Sequence, residues 1–182
     1  MRPLACVLLA LTFAAPAVAK DAPSFILGGG LTLPLADYGN VDGTGFDLGA
    51  GVSVPLGSGA FAAQLDGLFS RTGHDGVPGH TRIAGGMVGL VYRAPMKRSM
   101  KPYVRAAIGL LNVKTSQLIG IGFDTLPYSY SETKPSFGGG VGVMIGLGRT
   151  DLFVEGRVIV VNTADRSTTF VPLTIGIAFG RK

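Results

Sequence analysis

The sequence holds a single cysteine, Cys6, and only two histidines, His74 and His80, in 182 residues. One cysteine closes no intramolecular disulfide, so the fold has no covalent staple. Two imidazoles with Asp75 between them are too few and too loosely spaced for a metal site, and neither a metal nor another cofactor is predicted. Charge is also scarce, at 15% of residues against ~25% in soluble domains. The formal net charge of +5 is dispersed: Lys and Arg form no dense run with interleaved aromatics, which argues against nucleic acid as a partner. Apolar runs of helix-spanning length are missing as well. After Lys20 the apolar stretches are broken by Gly and Thr and reach about 10–13 residues, short of the ~20 a spanning helix needs.

Glycine and apolar residues are what the chain does have: 29 glycines, 47% hydrophobic residues and a mean hydropathy of +0.42. Such a chain is too apolar for disorder, and it has no Gly-X-Y period. Glycine at this density opposes helices, at ~1 kcal/mol each relative to Ala. The remaining way to satisfy every backbone group in lipid is a closed sheet. The period agrees with that. Phe46, Leu48, Ala50, Val52 and Val54 alternate with Asp47, Gly49, Gly51 and Ser53; Val141, Val143, Ile145 and Leu147 alternate with Gly140, Gly142, Met144 and Gly146. Successive strand residues point to opposite faces, so each segment has one greasy face and one small or polar face.

Eight such segments are predicted, near 24–34, 44–55, 60–70, 82–94, 101–113, 135–148, 151–162 and 168–180, the fourth being apolar on both faces. The connections alternate between long (35–43, 71–81, 114–134, 163–167) and short (56–59, 95–100, 149–150). That is the pattern of an eight-stranded antiparallel up-and-down transmembrane β-barrel with long outer loops and short periplasmic turns. Phe25, Phe61, Tyr92 and Phe179 would then ring the periplasmic end, and Phe46, Phe69 and Phe137 the outer end. The first residues complete the picture. A basic start at Arg2, an apolar stretch from Leu4 to Val18 and the small-x-small run Ala17-Val18-Ala19 read as a cleaved secretory signal over 1–19, leaving 20–182 as the barrel.

By strand parity Arg105, Glu155 and Arg157 face inward with Asp47 and Asp66. They predict a lumen charge network, because an unpaired charge in a narrow barrel is costly. The 114–134 loop carries Phe123, Tyr128 and Tyr130 and is the candidate for binding a surface partner. Two other readings compete. Ser70 and His74 near the outer rim would suit a lipid-modifying hydrolase or acyltransferase, but the adjacent His-x-Ser pattern is missing. A soluble lipocalin-like carrier would also have eight strands, with its apolar face turned inward.

Several segments resemble a known family. Lys101–Leu110 looks like a "PYV-x-x-G-x-G" strand, Ser136–Gly148 like a glycine-rich sixth strand, Asp151–Arg157 like an "L-F-V-E-x-R" seventh strand, and Val171–Gly180 like the closing strand of small OmpA-like outer-membrane barrels. The resemblance covers about residues 101–180. It implies insertion into the outer membrane of a Gram-negative bacterium by the barrel-assembly machinery, contact with outer-membrane lipid including lipopolysaccharide, and a structural or surface-interaction role without catalysis or an open pore.

Overall fold

The computed structural model describes residues 22–57, 59–76, 78–96, 99–121, 124–162 and 167–180. The predicted signal at 1–19, together with Lys97, Arg98, Phe123, Arg181 and Lys182, lies outside the described residues. Eight strands follow in chain order: β1 (Ser24–Leu35), β2 (Gly45–Leu56), β3 (Phe61–Gly73), β4 (Gly79–Arg93), β5 (Met100–Ile121), β6 (Asp124–Leu147), β7 (Thr150–Asn162) and β8 (Ser167–Phe179). Each pairs antiparallel with the next, and β8 pairs back onto β1 from Phe25↔Phe179 to Leu35↔Thr169. The sheet is therefore a closed up-and-down barrel with no free edge through its body, as the alternation predicts.

The alternation also sorts the two faces. Leu27, Leu48, Leu65, Leu90, Ile108, Val141 and Ile175 stand exposed on the outside. Phe25 stacks on Phe179 at 5.8 Å, and Phe61 tilts against Tyr92 at 5.0 Å, at the short-turn end. Phe46 and Phe69 pair at 6.0 Å toward the other end, and Phe137 is exposed there too. From Phe61 to Phe69 the strand covers about 26 Å at ~3.3 Å per residue, or about 20 Å of depth at a tilt near 40°. That is close to the ~25 Å apolar band of a membrane barrel. An apolar exterior of this height excludes the inside-out, lipocalin-like arrangement.

Most strands lie close to their predicted bounds, and one connection does not. The predicted loop 114–134 is a continuation of β5 and β6, paired from Lys114↔Ser131 to Ile121↔Asp124. Its Thr115, Ser116, Gln117, Ser129 and Ser131 are polar, which reads as loop when a strand is expected to have a greasy face. Above the lipid that face is not required, and the Thr and Tyr residues suit an extended chain. Asn112 marks the change, its amide bonding Ser131 at 3.1 Å and Thr133 at 3.0 Å on the outside of the barrel.

Glycine has a specific use on the inner wall. Gly142 lies opposite Tyr103 and Gly176 opposite Phe153. A Cβ on Gly142 would come within 2.4 Å of the Tyr103 ring, and one on Gly176 within 2.5 Å of the Phe153 ring. Each aromatic therefore lies flat across a bare stretch of neighbouring backbone, which lets a large ring fit a narrow lumen. Gly142→Val should displace Tyr103 and cost about 1–3 kcal/mol. The check is the temperature at which the folded, fast-migrating form is lost on a gel run without boiling; an unchanged temperature would contradict this packing.

Candidate functional site

The lumen is layered along its axis. At the outer end Tyr38, Leu68, Ile83, Met87, Leu111, Ile159, Val161 and Phe170 form one buried apolar cluster. At the inner end Ala62, Val91, Tyr103, Met144, Phe153 and Ala178 form another. The charged residues lie between them. This explains β4, whose inward Ile83, Met87 and Val91 serve both clusters while Val88, Leu90 and Tyr92 face out.

The middle layer brings together four of the five residues singled out for the lumen. Arg105 on β5 donates to Asp66 on β3, and through Nη1 to Glu155 on β7 at 3.4 Å. Arg157 completes the cluster, its Nε 3.0 Å from the same Glu155 oxygen. Gln64 donates its amide to Asp66 at 2.6 Å. The fifth residue, Asp47, stands apart from these ion pairs and accepts the Thr174 hydroxyl at 2.9 Å. Pattern reading missed Arg93, which donates to Ser53 at 2.8 Å. It sits at the end of β4, where its inward parity was obscured by a segment apolar on both sides. Three buried cations, Arg93, Arg105 and Arg157, thus face three buried carboxylates, Asp47, Asp66 and Glu155. The cavity lined by Asp66, Arg93, Arg105, Glu155 and Arg157 measures about 40 Å³, room for about one or two waters and not for a continuous path.

A second polar cluster caps the outer mouth. The chain leaves β1 at Ala36 with φ 53°, a left-handed conformation that costs a non-glycine residue about 1–2 kcal/mol. The turn drops Tyr38 into the barrel, where its ring meets Phe170 edge-on at 6.5 Å. The phenol bonds Thr72 at 2.7 Å, and Thr72 and Thr81 donate to Asp42 at 2.7 and 3.1 Å. His74 Nε2 lies 3.2 Å from the Thr81 hydroxyl and 3.8 Å from Asp42. Burial pushes both the Tyr38 phenol and the Asp42 carboxyl above their ordinary ranges, the latter against the pull of Thr72, His74 and Thr81. Backbone bonds from Gly43 to Gly73 and from Asp75 to Val41 zip this segment to the end of β3.

The residues behind the other readings separate. Ser70 is buried and donates to Thr32 at 2.8 Å, while His74 is engaged with Thr81, so the two do not form a nucleophile–base pair. His74 points inward and His80 stands on the outward face of β4; among the described residues no cluster of three metal-ligating side chains occurs. Tyr128 and Tyr130 are half-exposed on β6, opposite Gln117 and Thr115, on the side that continues the inner wall. Phe123 falls outside the described residues.

Glu155 is the acceptor that two arginines share. Glu155→Gln should lower stability by about 3–5 kcal/mol, because it takes the ion-pair partner from buried Arg157 and leaves Arg105 with Asp66 alone. Replacing Asp66, Arg105, Glu155 and Arg157 together with apolar residues of similar volume should be far milder. Thermal unfolding in detergent checks both, and a quadruple variant weaker than the single one would contradict the account.

Residues 5–179 match the model of the outer membrane protein beta-barrel domain. Among solved structures, Neisserial surface protein A is similar over 87% of this chain and 96% of its own, at 14% identity and a TM-score of 0.65. Ail, the attachment invasion locus protein of Yersinia pestis, solved with the heparin analogue sucrose octasulfate, is similar over 88% of this chain and 99% of its own, at 16% identity and a TM-score of 0.52. At such identities the likeness concerns the fold. A comparison with curated protein sequences finds no match.

Proposed function

The chain belongs to the outer membrane protein beta-barrel domain family, and from that premise we propose that it is a closed, non-catalytic barrel exported by a cleaved signal, whose outer rim binds partners at the surface of a Gram-negative cell. The observation that carries the reading is the β5–β6 hairpin. β4 pairs with β5 only as far as Gly79↔Gln117, and among the described residues β7 pairs with β6 only from Val161↔Ser136 onward. The hairpin runs on to Ile121↔Asp124 and so projects beyond its neighbours. Along its free β6 side it presents Leu126, Tyr128 and Tyr130, all half-exposed.

Aromatic side chains of this kind carry much of the energy in protein interfaces, because they bring large area at little entropic cost. Glu132 holds the row in place, ion-paired to Lys134 and hydrogen-bonded to Tyr130. The same lumen that supports the hairpin is blocked by two apolar layers and an ionic one, which argues against a diffusion pore of this width.

The test is adhesion of cells that display the protein to an extracellular matrix surface. Tyr128→Ser combined with Tyr130→Ser should reduce bound cells by about 10-fold or more, as loss of two interface aromatics would. The heat-dependent gel shift should be unchanged. Equal adhesion by the variant would remove the rim from the account.

A further inference from the structure

Three cations stand in one row on the outside of the barrel. Arg71 on β3 is directly opposite Arg82 on β4, and Arg82 is directly opposite Lys114 on β5. All three are exposed. Like charges directly opposite one another destabilise a sheet, and here three occur in succession. Among the described residues none of the three is in an ion pair. All three are close enough to act electrostatically on the His80 imidazole, so their fields overlap. An arrangement that costs the isolated barrel stability calls for an anion from outside.

The height of the row says which anion. Phe46, the partner of Arg71 on β2, belongs to the outer aromatic pair with Phe69, and Phe69 is the next outward residue below Arg71. On β5 the outward run of Val104, Ile108 and Leu110 gives way to Asn112 with its Ser131 and Thr133 bonds, then to Lys114 and Ser116, before the exposed Leu118 farther up the hairpin. The row therefore begins where lipid ends. Adjacent strands lie about 4.8 Å apart, so it spans about 10 Å and, at a strand tilt near 40°, about 6 Å of depth. A lipid headgroup layer is about 5–8 Å deep on each side. Arginine forks and a lysine ammonium in that layer match phosphate oxygens in geometry and charge.

We propose that Arg71, Arg82 and Lys114 form a binding site for the phosphate groups of a phosphorylated lipid of the outer leaflet, held against the β3–β5 wall. The proposal rests on the membrane placement given above and is independent of what the rim binds.

The test uses the refolded protein in phosphatidylcholine nanodiscs, alone or with bisphosphorylated lipid A or lipid A stripped of phosphate. Native mass spectrometry counts the lipid A retained. The wild type should retain the bisphosphorylated form, and Arg71→Gln, Arg82→Gln and Lys114→Gln together should weaken retention by about 100-fold, at a factor of about five per basic residue near an anionic surface. The dephosphorylated lipid should bind wild type as poorly as the phosphorylated lipid binds the triple variant. A second readout is thermal. Arg82→Gln alone should raise the unfolding temperature in phosphatidylcholine, by relieving repulsion, and lower it when lipid A is present. Equal retention by the variant, equal retention of both lipids, or displacement of lipid A by stoichiometric sucrose octasulfate or pyrophosphate would overturn the proposal; the last would mean a site for soluble anions. Failure of the wild type to insert is seen separately, as loss of its gel shift, and would overturn the barrel placement itself.

Discussion

Every backbone amide and carbonyl that lies in lipid must find its partner within the protein, since hydrocarbon offers none. The pairing of β8 with β1 meets that demand for the whole wall. Once the sheet closes, the two side-chain directions acquire different solvents. One set meets lipid and becomes Leu, Ile, Val and Phe; the other meets a lumen too narrow for water in bulk. The chain's poverty in charge and its wealth in glycine both follow from those two surroundings.

The lumen is the more demanding of the two. Eight strands enclose just enough space for their own side chains. Two of the lumen's rings lie over glycine, Tyr103 over Gly142 and Phe153 over Gly176. Charges are held by opposite charges, as Arg105 and Arg157 are at Glu155, or by hydroxyls, as Arg93 is at Ser53 and Asp47 at Thr174. The two apolar clusters above and below keep bulk water from the ionic layer. At the outer end the Tyr38 turn closes the same column, held by Thr72 and Asp42. The wall is thus generic to a membrane barrel, while its filling is particular to this sequence. Beyond the lipid the constraint lapses, and the β5–β6 hairpin is free to carry polar and aromatic residues on either face.

The barrel could be read from the chain because period 2 is strong when one solvent is hydrocarbon: Phe46 to Val54 and Val141 to Leu147 leave little choice of face. The same parity placed Arg105, Glu155 and Arg157 in one lumen. It grouped them as one network with Asp66 and Asp47, but which carboxylate meets which arginine depends on strand stagger that no single segment encodes, and Asp47 bonds Thr174 instead of joining an ion pair. It failed at two places for one reason each. β4 is apolar on both faces because its lumen side fills the apolar layers, so Arg93 went unnoticed. The hairpin above the lipid lacks a greasy face, so strand looked like loop. The outward row of Arg71, Arg82 and Lys114 is invisible in sequence, because only the register of three strands brings it together.

The central claim, that the greasy face meets lipid and the glycine-rich face meets a closed lumen, is tested most directly by spin labels in a bilayer. In a Cys6→Ser background, single cysteines replacing Ala107, Ile108 and Ser116 would each carry a nitroxide. The account predicts that the label at 108 collides freely with oxygen and not with a water-soluble nickel chelate, that the label at 116 collides with nickel, and that the label at 107 is shielded from both. A label at 108 open to nickel, with one at 107 open to oxygen in an apolar interior, would mean that the faces are reversed and that the barrel is not a membrane wall.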